Sequence, residues 1–70
     1  MKAALAPVLS REALIATAKH WAAWFAAGHA SSENVAAWCR AKAYAGECTT
    51  DQANALYRLT LAYASLYRVS

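Results

Sequence analysis

The sequence predicts an all-α fold, a single-domain three-helix bundle. Three observations carry that expectation. Apolar residues recur every three or four positions in three separate stretches, the spacing of one helix face. Each stretch opens on a Ser or Thr, and the first two close on a glycine. No stretch alternates apolar and polar residues as a strand does, and no Asn-Gly hairpin signal occurs. Seventy residues make one domain, 1–70. Twenty of them are alanine, which favours helix but adds little bulk, so the three Trp, four Tyr and one Phe must supply much of the core.

The first helix is expected over about residues 10–27. Ser10 is its N-cap, with Leu9 and Leu14 at the positions of a hydrophobic staple. Leu14, Thr17, Ala18, Trp21 and Phe25 form its inner face, and Gly28 stops it. Pro7 limits any upstream extension, which leaves residues 1–9 as a short N-terminal segment packing on the bundle. The second helix is expected over about 32–45, opened by Ser31 or Ser32 in "SSEN" and stopped by Gly46. Val35, Trp38, Cys39 and Ala43 mark its inner side. The third, about 50–69, opens on a capping box in which Thr49 precedes Gln52 by three residues. Short connections make neighbouring helices antiparallel, giving an up-down-up bundle.

Helix chemistry accounts for most of the charges. The formal net charge is +3 and the pI near 9.1. Glu12, Glu33 and Asp51 fall in first turns, while Arg40, Lys42 and Arg68 fall late in their helices, the arrangement the helix dipole favours. What helix chemistry leaves unexplained is the third helix's excess of apolar surface. Leu56, Leu59, Tyr63, Leu66 and Tyr67, flanked by Thr60, read as its core face. Tyr57, Leu61, Ala64 and Arg68 form a second stripe that two neighbouring helices cannot easily cover. In the first helix Trp24, beside His20, also flanks the core face. In the second, Tyr44 points away from Val35 next to Arg40. Tyr, Trp and Arg are the residue types that concentrate binding energy at interfaces. The expected partner-binding residues are therefore Tyr57, Leu61, Ala64 and Arg68, with Trp24 and Tyr44 as secondary anchors.

Reactive chemistry is not indicated. Cys39, Cys48, His20 and His29 have the residue types of a metal site, but zinc ligand pairs lie two to five residues apart and these do not. Cys39 lies well inside the second helix, which carries it away from Cys48, so free thiols are expected rather than a disulfide. No carboxylate pair, nucleophile–base pair or glycine-rich phosphate loop is evident; neither an enzyme nor a cofactor is expected. No apolar run of about 18 residues spans a membrane. "KHWAAWFAA" has an interfacial composition, yet the core needs Trp21 and Phe25. "MKAALAPVLS" is too short an apolar run for a secretory signal, and a cytoplasmic protein is expected.

The reading is a small non-enzymatic protein–protein interaction module: a regulator, adaptor or inhibitor, of the kind phages and mobile elements carry. It would bind another protein, or its own copy as a homodimer, through an apolar and aromatic helical surface. The competing reading is a basic, helix-turn-helix-like nucleic-acid binder. Thr50, Asn54 and Arg58 would then line the outer side of the third helix, with Arg40, Lys42 and Arg68 on phosphates. Asp51 at the approaching end, and Tyr57 and Leu61 in the middle, weigh against it.

Overall fold

The computed structural model describes residues 8–69 and contains three helices: α1 (Arg11–Ala26), α2 (Ser32–Tyr44) and α3 (Thr50–Val69). The fold is the expected all-α three-helix bundle, with no strand among the described residues. Of the N-terminal segment 1–9, only Val8 and Leu9 are described; residues 1–7 lie outside the described residues.

Each helix begins where a side chain can satisfy the first free N–H groups. The Ser10 hydroxyl accepts from Ala13 N–H at 3.0 Å. Ser31, rather than Ser32, caps α2: its Oγ accepts from Asn34 N–H at 3.2 Å, and Asn34 Oδ1 accepts from Ser31 N–H at 2.9 Å. The expected capping box opens α3, with Gln52 N–H donating to Thr49 Oγ1 at 3.0 Å and Thr49 N–H donating to Gln52 Oε1 at 3.2 Å. At the other ends, Gly28 (φ 85°) and Gly46 (φ 76°) adopt the left-handed conformation that closes a helix. His29 N–H then reaches back to Trp24 O, and Glu47 N–H to Lys42 O, each at 2.9 Å.

Contacts along the chain give the topology. Leu9 meets Gln52, Lys19 lies over Tyr63 and Arg68 over Phe25, so α1 and α3 run parallel in near-constant register. The intervening α2 runs back between their ends and lays Trp38 against Trp21. The pairing with α1 is the more extensive of the two that α3 makes.

The buried face of α3 differs from the expected one. Its centre is Ala53, Leu56, Thr60 and Ala64, a line running between the two apolar stripes read from the sequence. Opposite it, Ala18 and Ala22 of α1 are fully buried. Small side chains at a helix contact let the backbones approach closely. The bulky residues then take the two flanks, where Leu59 and Tyr63 on one side and Tyr57 on the other are half-buried against the core. Leu66 and Tyr67, expected in the core, are 62% and 39% exposed. Leu66 lies about 120° around the helix from Thr60, at 100° per residue. Tyr67 sits in the last turns of the longest helix and stacks on Tyr63 at 6.3 Å between ring centroids. Val35 and Cys39 are buried as the inner face of α2 requires.

Thr60 is buried, and its hydroxyl donates to Leu56 O at 2.7 Å, so its polar atom is satisfied without a partner from another helix. Gln52 has a second role besides its cap. Its Nε2 donates to Leu9 O at 2.7 Å and its Oε1 accepts from Leu9 N–H at 3.3 Å, tying the chain before α1 to the start of α3. A capping box accepts Glu or Gln alike; only Gln can also donate to Leu9.

Gln52→Glu therefore keeps the cap and the bond from Leu9 N–H but loses the donation to Leu9 O, and stability is expected to fall by about 1 kcal/mol. An unchanged urea midpoint would remove the tie from the account. Ala22→Leu overpacks the α1–α3 seam and is expected to cost about 1–3 kcal/mol. Ala23→Leu, one position on and exposed, should change stability by less than about 0.5 kcal/mol in the same urea titration.

Candidate interaction surface

The open side of the α1–α2 pair carries the largest concentration of aromatic rings. His20, Trp21 and Trp24 project from α1 and Trp38 from α2, and together they line a concavity of about 320 Å³. Helical spacing explains the grouping: positions 20, 21 and 24 of α1 share one side, and Trp38 meets them from the antiparallel helix. Trp21 and Trp38 pack with ring centroids 5.3 Å apart, Trp24 meets Trp38 edge-on at 6.4 Å, and His20 lies 5.8 Å from Trp24. Trp21 is also covered by Lys42, whose ammonium lies 5.8 Å from the ring centroid while pairing with Glu47 at 3.0 Å. Trp24 remains 48% exposed. The outward side of α1 beside it, Ala16, His20, Ala23 and Ala27, is exposed and carries no carboxylate, lysine or arginine.

A second concavity, of about 370 Å³, lies where α2 ends and α3 begins, lined by Arg40, Ala43, Tyr44 and Thr50. Tyr44 is 92% exposed beside it.

The stripe expected on α3 is not one open face. Tyr57 and Leu61 are half-buried, and Ala64 is buried in the centre of the helix contact. Arg68 is exposed and sits over the Phe25 ring at 4.9 Å. Of the six residues expected to meet a partner, Trp24 and Tyr44 each line a concavity, and they lie in separate ones. Sequence reasoning placed His20 beside Trp24 but assigned Trp21 and Trp38 wholly to the core. The signal for the groove was present as three tryptophans on facing sides of consecutive helices, and only the packing of both helices on α3 brings them together.

Comparison with protein-family models, curated proteins and solved structures returns no match. The functional reading therefore rests on the chain's own residues.

Cys39 and Cys48 are free and buried, and both belong to the same core cluster, so the chain after α2 brings Cys48 back toward Cys39 rather than away from it. Burial pushes the Cys39 thiol up from an ordinary 9.0 to about 11, and neighbouring Cys48 adds to the rise, while Arg40 and Lys42 oppose it. A thiol in that state is a poor nucleophile, because the thiolate is the reactive form. Among the described residues no group of three or more His, Cys, Asp or Glu side chains is placed to hold a metal ion. No described helix is long and apolar enough to cross a membrane.

The Cys39 shift has a pH consequence. Unfolded Cys39 loses its proton near pH 9.0 and folded Cys39 near 11, so its contribution to stability is complete below pH 9 and is lost as pH rises toward 11. Denaturation midpoints measured from pH 8 to 11 should fall more steeply for the wild type than for Cys39→Ala; parallel curves would remove the thiol's contribution.

Proposed function

We propose that the protein acts by binding another protein, without chemistry of its own, and that the aromatic groove between α1 and α2 is the docking surface. The observation that carries this reading is the half-exposed Trp24 at the edge of a groove lined by His20, Trp21 and Trp38. A groove between two antiparallel helices suits a helix of the partner, which would insert apolar side chains at one-turn spacing. Alanines at positions 16, 23 and 27 allow that helix to come close. No charged side chain on that strip of α1 would have to be desolvated. Trp24 presents large area at low rotamer cost, which suits an anchor. Tyr57, Leu61 and Arg68 extend the apolar surface on α3 as a secondary contact. A regulator, adaptor or inhibitor of this size would act by occupying a site on its partner.

The nucleic-acid reading keeps one specific observation in its favour: Thr50, Asn54 and Arg58 are all exposed along α3. It requires retention on DNA or RNA that falls steeply with salt and weakens in Arg58→Ala.

Trp24→Ala is expected to lose about 2 kcal/mol of partner binding or more, roughly 30-fold in affinity, with the unfolding transition little changed. The measurement is affinity capture from the native host, followed by titration of the captured protein against wild type, Trp24→Ala and Leu61→Asp. Equal binding by wild type and Trp24→Ala would rule the groove out. Loss confined to Leu61→Asp, with helicity intact, would move the docking surface to α3.

A further inference from the structure

The corner between α2 and α3 carries a separate arrangement, and we infer that it is a self-docking patch through which two copies of this chain associate about a two-fold axis. Arg40 and Tyr44 are one turn apart on the exposed side of α2, Thr50 at the start of α3 lines the same recess, and the exposed Asp51 follows Thr50 in the chain. The patch holds a projection and a recess together: Tyr44, 92% exposed, and the concavity of about 370 Å³ lined by Arg40, Ala43, Tyr44 and Thr50. It also holds both charge signs. Among the described residues the one ion pair is Lys42 with Glu47, so the exposed Arg40 and Asp51 have no ion-pair partner among those residues.

A patch with both shapes and both signs is complementary to its own copy. In a two-fold contact, whatever residue i does to residue j of the other copy, j does in return. Arg40 of each copy then meets Asp51 of the other, and each Tyr44 ring enters the opposite recess. A partner of uniformly acidic or basic surface would satisfy one of these charges and oppose the other. Exposed ion pairs add little affinity of their own but fix register and exclude wrong pairings. Burial of Tyr44 supplies the contact area. The α1–α2 groove takes no part, so a dimer would leave Trp24 open for the proposed partner.

The test is solution mass by sedimentation or light scattering over a wide concentration range at low salt. Wild type is expected to rise from the 7.5 kDa monomer toward twice that mass as concentration increases. Tyr44→Ala should weaken association at least tenfold, with helicity by circular dichroism unchanged. Arg40→Asp alone and Asp51→Arg alone each place like charges together twice and should be monomeric. Mixed in equal amounts they restore both attractions, and the dimer should return as a heterodimer. Should Asp51→Arg disturb the start of α3, Arg40→Asp and Tyr44→Ala, both at exposed positions, still decide the matter. A wild type that stays monomeric at every concentration overturns the inference, as does a dimer that survives Tyr44→Ala and Arg40→Asp. A dimer lost in Trp24→Ala but kept in Tyr44→Ala also overturns it and assigns self-association to the groove.

Discussion

Contact between α1 and α3 across small side chains is the constraint on which the rest of the molecule depends. Ala18 and Ala22 on one helix and Ala53, Thr60 and Ala64 on the other are buried, and none has bulk enough to hold the backbones apart. With the two helices running parallel in steady register, the buried line of α3 holds Leu56 as its one large side chain, among methyl groups and a threonine. Larger side chains are then forced to the flanks, where a third helix of 13 residues can cover only part of them. The aromatic groove of α1 and α2 is thus a consequence of how the α1–α3 contact is built. An aromatic seam would have separated the helices and drawn the rings inward, leaving little to present.

That arrangement limits how much large apolar surface is wholly removed from water. Among the described residues Leu56, Val35 and Thr60 are the largest fully buried side chains, a small inventory for a bundle. The helix ends offset this. Three N-terminal caps, two glycine stops and the Gln52 tie satisfy backbone groups that would otherwise fray. Cations on aromatic faces add to the same effect: Lys19 over Tyr63, Lys42 over Trp21 and Arg68 over Phe25 each cover part of a ring the core leaves out. A domain held in this way gains stability from any partner that binds only the folded form. Docking on the groove would therefore couple function to folding directly.

Legibility in the sequence followed the range of the interaction. Ser10, Gly28, Thr49, Gln52 and Gly46 act within a few residues of themselves, so the helix bounds read from them agree with the structure to within a residue. Trp24 and Tyr44 were legible as surface residues because each lies off its own helix's inner face. The central face of α3 was misread because bulk was taken as the mark of a core position. Leu66 and Tyr67 were placed inside, whereas both are exposed and the alanines at the close helix contact take the buried positions. The bond between Gln52 and Leu9 crosses most of the chain and has no local signal beyond the choice of Gln over Glu.

By itself, the sequence determined that this chain makes three helices, where each begins and ends, and that it has more aromatic surface than a small bundle can bury. Caps, stops and periodicity are local, set by hydrogen bonds between neighbours along the chain. Tertiary structure alone decided which side of α3 faces inward, that Trp21, Trp24 and Trp38 share one groove, and that Arg40, Tyr44 and Thr50 meet at one corner. Those outcomes depend on how closely two helix backbones approach, which is a property of the pair and is carried by neither helix separately.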